Sequence, residues 1–390
     1  MHSKGEKMSF GKTFYLWVIK LISFFSYKKT LKSNLIVIIV DFEDDINEFI
    51  SYVDKENLIN EYLIKIYYHP RIKGKLKVIN NVEYIERKFS NKFKMIRYIQ
   101  EALFIITDNY VVELGAIKLS PEKVCIQIWH ANGALKKFGL ASPYRYSTPD
   151  INRFKNVYKQ YDKIVVGSRM MSKIFKDAFG IIEDDVLLKC GTLRTDKYFE
   201  QSSVSVKLEK ALSHTKSKKV ILYAPTYREW EHELKLNINE MNKLKTEGYT
   251  LIIRTHPAVK TTIPKEFNGF VVNGNDYYLD ELLKVSDILI TDYSSIAMEF
   301  SILKKPIYFF CYDMEHYREK TGLIDQFEDE VCSPIYKDTK TLQNAILDEV
   351  VQAEDVHIFN EKWNTYTSGN ACASLVSYME LRKRKYETTI

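Results

Sequence analysis

The 390-residue chain contains five cysteines, Cys125, Cys190, Cys311, Cys332 and Cys372, scattered with no CxxC pair and no Cys/His cluster. That spacing argues against a zinc site and against a disulfide framework, and fits a reducing cytoplasm. No stretch of about 18 uncharged apolar residues occurs, which argues against a spanning helix. Walker A, GxGxxG and HExxH are all missing, so no motif marks a P-loop NTPase, a dinucleotide dehydrogenase or a zinc protease. There is no acidic pair placed like a sugar-nucleotide metal site, no internal repeat and no low-complexity tract. Nothing calls for a metal or another cofactor.

What is present begins with charge. The formal net charge is +6. The first 40 residues hold Lys4, Lys7, Lys12, Lys20, Lys28, Lys29 and Lys32 against Glu6 alone, so the rest of the chain is nearly neutral and no nucleic-acid partner is expected. The same end reads "FGKTFYLWVIKLISFFSYKK". On a helical projection Lys12, Lys20, Ser23 and Tyr27 share one face, while Phe14, Trp17, Val18, Leu21, Ile22 and Phe25 occupy the others. Two readings compete: a helix lying in the interface of an anionic membrane, or an ordinary first helix that packs on the protein. No small-residue cleavage pattern of a signal peptide follows it.

From "NLIVIIVDF" (34–42) onward, strand-like and helix-like segments alternate: "LIKIYYH", "NVEYIERKF", "KMIRYIQEA", "LFIITDN", "VCIQIWH", "YDKIVVGS". "RMMSKIFKDAFGI" reads as a helix closed by Gly180. A polar junction near residue 200 leads to a second series, "KVILYAPTYR", "TLIIRTHPAV", "GFVVNG", "DILITDYSS", "PIYFFCYD". These strands are rich in Val, Ile and Leu without clean alternation, as expected of parallel sheets covered on both faces. Between them, Leu279, Leu282 and Leu283 share a helical face. The expected organisation is a basic membrane-association segment at 1–33, a Rossmann-like domain at 34–200 and a second at 201–390. A ligand would lie in a cleft at the carboxyl ends of the strands.

Polar residues recur where the strands end. His130 follows "QIW", with Lys136 and Lys137 shortly after. "CGTLRTD" offers Gly191, Arg194 and Asp196; "YAPTYR" offers Thr226 and Arg228; "RTHP" offers Arg254 and His256; "TDYSS" offers Asp292, Ser294 and Ser295. Arginine forms bidentate, charge-assisted bonds with phosphate, hydroxyls add neutral donors, and histidine can take a proton near neutral pH. Each residue also has a plain structural reading. His130 could be a satisfied core histidine, His256 a turn residue, Lys136 and Lys137 solvated lysines, and Asp292 and the serines helix caps. His69, His214, His232, His316 and His357 lack supporting neighbours and read as structural.

In order along the chain, "WHANGALKKFG", "VVGSRMMSKIFKDAFG", "CGTLRTDKYF", "LYAPTYRE", "RTHP" and "LLKVSDILITDYSSIAMEFSILKKPIYFFCYD" resemble the CDP-glycerol glycerophosphotransferases of wall teichoic acid synthesis. The resemblance runs from about Ile126 to Gly322. It implies an α/β, GT-B-like pair of Rossmann-type domains at the cytoplasmic membrane face, peripheral, with CDP-glycerol as donor and a lipid-linked saccharide as acceptor. It implies His130 as base, and His256, Arg194, Ser294 and Ser295 around the donor diphosphate, which makes His130 and His256 the catalytic candidates. Thr226, Arg228, Asp292 and Lys136 complete the candidate substrate-binding set. Many members read "WHGTPLKK" and "GYPRND" where this chain reads "WHANGALKK" and "GTLRTD". The first departure points to a different acceptor, and together with the compact length it favours the priming branch. The runners-up are a polymerase, a ribitol phosphate or capsule transferase of the same fold, and a non-catalytic nucleotide-binding scaffold at the membrane.

Overall fold

The computed structural model describes the chain except Met1, residues 28–30, 201–203, 216, 257–258, 260–262 and 264, and Ile390; of residues 2–10 and 265 it describes the backbone alone. The side chains of Lys4, Lys7, Lys28 and Lys29, counted in the basic end, and Pro257 of the "RTHP" stretch therefore lie outside the described residues. The chain divides into two compact units, one of residues 1–131, 138–197 and 366–390, the other of residues 132–137 and 198–365.

The first unit holds seven parallel strands: β1 (Lys32–Val40), β2 (Leu63–Tyr68), β3 (Val82–Glu86), β4 (Ala102–Thr107), β5 (Val124–Gln127), β6 (Lys163–Val166) and β7 (Leu187–Lys189). Their order is β3-β2-β1-β4-β5-β6-β7. β1 from Leu35 onward and all of β4 are buried, so their unbroken apolar runs meet helices on both faces. Order reverses between β1 and β4, which makes their carboxyl ends the switch point where such sheets hold ligands.

The second unit repeats the plan with β8 (Lys219–Tyr223), β9 (Tyr249–Ile253), β10 (Val271–Asn273), β11 (Ile288–Thr291), β12 (Ile307–Phe310) and β13 (Ile335–Tyr336), ordered β10-β9-β8-β11-β12-β13. This is the same 3-2-1-4-5-6 winding, with its switch point between β8 and β11.

The division near residue 200 falls between Lys197 and Tyr198, but two expected boundaries move. The helix Ala371–Glu387 belongs to the first unit, because Leu375, Val376 and Met379 enter the core beside Ile36, Ile38 and Phe49. Burying each such side chain contributes about 1.5–3 kcal/mol. Residues 132–137 belong to the second unit. Asn132 Nδ2 donates to Asn364 at 2.7 Å, Ile324 N donates to the Leu135 carbonyl at 3.0 Å, and Lys136 forms an antiparallel bridge with Leu323.

The amino-terminal helix His2–Ser26 packs on the first unit along one face, as the second reading of its sequence expects. Tyr15, Ile19 and Ser23 face the first unit. Tyr15 donates to Glu113 at 2.6 Å, and the buried Ser23 hydroxyl accepts from Gln100 Nε2 at 2.8 Å. Ser23 thus leaves the expected polar face for a buried hydrogen bond. Phe14, Trp17, Leu21, Phe24 and Phe25 remain exposed, as do Lys12 and Lys20. No helix among the described residues is long and apolar enough to cross a membrane.

Candidate active site

At the first switch point, Asp108 directly follows β4. Its buried carboxylate accepts from Asp41 N at 2.9 and 3.0 Å and from Phe42 N at 2.8 Å, tying the loop after β1 to the end of β4. Burial pushes the Asp108 carboxyl up to about 8, against the pull of those backbone donors.

β5 delivers His130 through a backbone turn at Trp129, whose φ is +62°. A left-handed conformation costs a bulky residue roughly 1–2 kcal/mol. It is held by Gln127 Oε1, which accepts from Trp129 N at 2.8 Å, and by Phe138, Phe175 and Phe179, whose rings pack around the indole. The turn brings the His130 ring onto Phe42 (4.1 Å between centroids, 10° between planes) and onto Trp129 (4.3 Å). Nδ1 of His130 lies 2.8 Å from the Asp108 carbonyl oxygen. Loss of solvent around the ring lowers its pKa to about 4; the Asp108 carbonyl opposes this, and Arg194 and Arg71 add to it.

Arg194 is also in the first unit, and its partners there are carboxylates. Nε donates to Asp45 Oδ2 at 2.7 Å, the backbone N to Asp45 Oδ1 at 3.0 Å, and Nη2 to Asp44 Oδ2 at 3.0 Å. Asp44 and Asp45 open the helix Asp44–Lys55. Two residues on, the buried Asp196 accepts from Ala371 N and Cys372 N at 2.9 and 2.8 Å, capping the last helix. The "GTLRTD" block therefore ties three parts of this unit together.

At the second switch point, Asp292 directly follows β11 and is buried. Oδ1 accepts from Thr226 N at 2.8 Å and Tyr293 N at 2.7 Å, and Oδ2 from Arg228 Nη1 at 2.9 Å. Arg228 is also buried; Nε and Nη2 grip both oxygens of Asp313 at 2.6 and 2.8 Å, and Nη1 donates to the Thr226 carbonyl at 2.7 Å. These side chains face one another, which leaves no open guanidinium fork on Arg228. The Thr226 hydroxyl is buried without a partner among the described residues.

Ser294 and Ser295 are half-buried. Ser294 Oγ accepts from Ile296 N at 3.4 Å, and Ser295 precedes the short helix Ile296–Ser301 without a side-chain cap bond. His256 is exposed after β9, its ring 4.2 Å from that of Tyr227. The Lys136 ammonium lies 5.5 Å from the centre of the Tyr317 ring, which stacks on Tyr293, and burial lowers its pKa. Lys137 donates to Asp325 at 2.7 Å.

The second unit thus gathers Lys136, Thr226, Arg228, His256, Asp292, Ser294 and Ser295, and the first holds His130 and Arg194. The reading from sequence passed over Asp41, Asp45, Asp108 and Asp313. For Asp108 a signal existed: "ITDN" (106–109) and "ITDY" (290–293) end the fourth strand of each sheet, and each aspartate accepts at least one backbone N–H from the loop after the first strand.

A sequence profile of the CDP-Glycerol:Poly(glycerophosphate) glycerophosphotransferase family matches residues 21–381. The chain belongs to this family. It is 33% identical over 379 residues to a teichoic acid glycerol-phosphate primase of Bacillus subtilis (strain 168), covering 94% of this chain and 96% of that protein. It is 39% identical over 283 residues to the protein of the same description from Bacillus spizizenii, covering 70% of this chain and 73% of that protein. The solved structure of the wall teichoic acid polymerase TagF matches with a TM-score of 0.75 at 22% identity, over 97% of each chain. A putative UDP-N-acetylglucosamine 2-epimerase from Listeria monocytogenes matches at 0.58 and 13% identity, over 88% of this chain and 95% of that one. At such identities the likeness is one of fold, and it agrees with the GT-B-like class expected from the sequence.

Proposed function

We propose that the protein transfers glycerol phosphate from CDP-glycerol to a hydroxyl of an undecaprenyl-diphosphate-linked disaccharide, releasing CMP, as the priming step of wall teichoic acid synthesis. Support comes from family membership and from similarity, over nearly its whole length, to a relative described as a primase. The observation that carries the mechanism is His130. Its Nδ1 is engaged by a carbonyl, and among the described residues its Nε2 has no hydrogen-bond partner. In this reading Nε2 takes the proton of the acceptor hydroxyl. The hydroxyl oxygen bonds to the phosphorus that carries glycerol, the bond from that phosphorus to the bridging oxygen breaks, and CMP leaves with that oxygen.

In the same reading His256, Lys136, Thr226, Ser294 and Ser295 supply donors to the diphosphate of CDP-glycerol. Arg194, Arg228 and Asp292, first read as ligands of the substrate, take positioning roles, because the two arginines are already bound to carboxylates and Asp292 to Arg228 and backbone N–H groups. The exposed aromatic face of the helix His2–Ser26 docks on an anionic membrane surface, which places the protein peripherally at the cytoplasmic face, where a lipid-linked acceptor is available.

The test is CMP release from CDP-glycerol and CDP-ribitol with a short panel of lipid-linked acceptors. One equivalent of CMP per acceptor with CDP-glycerol supports the proposal. Preference for CDP-ribitol, or repeated additions to one acceptor, would replace it by a ribitol or polymerising activity. No release with any pair would favour a non-catalytic role.

A further inference from the structure

Phe42, against which His130 stacks, also holds a cation. The guanidinium carbon of Arg71 lies 4.2 Å from the centre of the Phe42 ring. Arg71 sits in the turn Pro70–Ile72, directly after β2 and beside the first switch point. Its Nε donates to the Asp41 carbonyl at 2.8 Å, and its backbone N donates to His69 Nδ1 at 3.2 Å. The carboxylate of Asp41 is already used by Arg87 Nη1 at 2.6 Å and Asn109 Nδ2 at 2.9 Å, and it stays 3.9 Å from Arg71 Nη2. Arg71 is therefore fixed at its Nε end and along its flat face, while 47% of its side chain is exposed. Such a group loses little freedom on binding an anion, and its open N–H pair suits the oxygens of a phosphate.

The second sheet shows the same device with the residues exchanged. The ends of the second strands read "HPR" (69–71) after β2 and "RTH" (254–256) after β9. In the second unit Arg254 donates inward, to the Tyr277 carbonyl at 2.5 Å, and His256 is exposed. In the first, His69 accepts from the turn and Arg71 is exposed. Each sheet thus presents one cationic or donor side chain at the end of its second strand, next to its switch point.

We propose that Arg71 is a further substrate-binding residue, whose guanidinium binds a phosphate group of a substrate while the neighbouring His130 takes the proton. The proposal rests on the function proposed above. Two sources share this chemistry: the phosphate transferred from the donor, and the diphosphate of the lipid-linked acceptor.

The experiment uses the full chain as wild type, Arg71→Ala and Arg71→Lys. Steady-state kinetics are run with CDP-glycerol and either a diphosphate-linked acceptor or an alkyl glycoside of the same saccharide. Loss of a charged phosphate contact is expected to lower kcat/KM about 10²-fold in Arg71→Ala. Arg71→Lys, which keeps the charge but not the fork, should recover only part, and added guanidinium should partly rescue the Ala variant alone. A deficit that persists with the glycoside assigns the donor phosphate; a deficit confined to the diphosphate-linked acceptor assigns the acceptor. Wild-type kcat/KM for both substrates in Arg71→Ala overturns the proposal. If the wild type releases no CMP, the proposed function has failed instead, and Arg71 is judged by calorimetry with inorganic diphosphate. Weaker binding by Arg71→Ala supports the site, and equal binding overturns it. Arg71→Lys serves both assays should the Ala variant fail to fold.

Discussion

The Nδ1 nitrogen of His130 and the backbone carbonyl of Asp108 are 2.8 Å apart. A carbonyl oxygen can only accept, so Nδ1 carries the proton and the lone pair lies on Nε2. The tautomer is set by a main-chain atom at the end of β4, where no change of side chain can remove it. The ring is thereby held in the tautomer that the proposed base role requires.

Replacing His130 by Ala should lower kcat by about 10²–10⁴-fold, the usual cost of losing a general base. Binding of CDP-glycerol, measured by calorimetry, should change little. Turnover near that of the wild type would remove His130 from the chemistry.

The depressed pKa of His130 sets a pH dependence. With its pKa at about 4, the ring is neutral and competent across the neutral range. The acid limb of kcat/KM attributable to this group should fall near pH 4, well below the 6.5 of an unperturbed imidazole. The stability sign follows from proton counts. Between pH 6.5 and about 4 the unfolded chain binds more protons at this site than the native one, so its contribution falls as pH drops through that window. Urea unfolding across the window should show a shallower pH slope in His130→Phe. An identical slope in both proteins would place the imidazole in an unperturbed environment.

Arg194→Ala leaves the buried Asp45 without its cation. Removing one partner of a buried pair costs about 3–5 kcal/mol, so the urea midpoint should drop sharply. An unchanged midpoint together with a raised KM for CDP-glycerol would restore Arg194 to the diphosphate.

How far these assignments were legible from sequence depended on the range of the interactions involved. β6 and β11 lie inside apolar runs that read as strands, β1 overlaps the run at 34–42 and starts two residues before it, and Gly180 closes the helix Arg169–Phe179 with φ +68° as its position after an amphipathic run predicts. Those signals are local. Arg194 finds Asp45 at a separation of 149 residues, and Arg228 finds Asp313 across 85. An arginine committed to a distant carboxylate and one free for phosphate read alike in a linear sequence. The same blindness hid the return of the last helix, whose docking depends on Asp196 at 175 residues' distance.

Ser294 and Ser295, replaced together by Ala, should raise the KM for CDP-glycerol modestly, because a neutral hydrogen bond contributes about 1 kcal/mol net. Ser295 makes no cap bond, so thermal stability should hardly move. A lowered melting temperature with unchanged KM would make the pair structural.

For the amino-terminal helix, deletion is a poor test, since Tyr15, Ile19 and Ser23 are built into the first unit. Changing the exposed Phe14, Trp17, Phe24 and Phe25 to Ser should instead release the protein from anionic vesicles while leaving its unfolding midpoint in place. Changing Lys12 and Lys20 to Gln should weaken vesicle binding mostly at low salt, where about 1 kcal/mol per lysine is at stake. Full retention of the aromatic variant on vesicles would move the membrane contact elsewhere, with the basic run at 381–385 next in line.

The placement of residues 366–390 in the first unit has a consequence for biosynthesis. During translation the seven strands of that unit leave the ribosome long before the helix that completes their core. The two oxygens of Asp196 wait for the N–H groups of Ala371 and Cys372, and Ile36 and Phe49 wait for Leu375. The second unit, continuous from residue 198 to 365 apart from the six-residue segment 132–137, can close first, although it is made later. Chains ending at residue 365 and held clear of the ribosome by a long linker should therefore leave the first half exposed to protease while the second half is already protected.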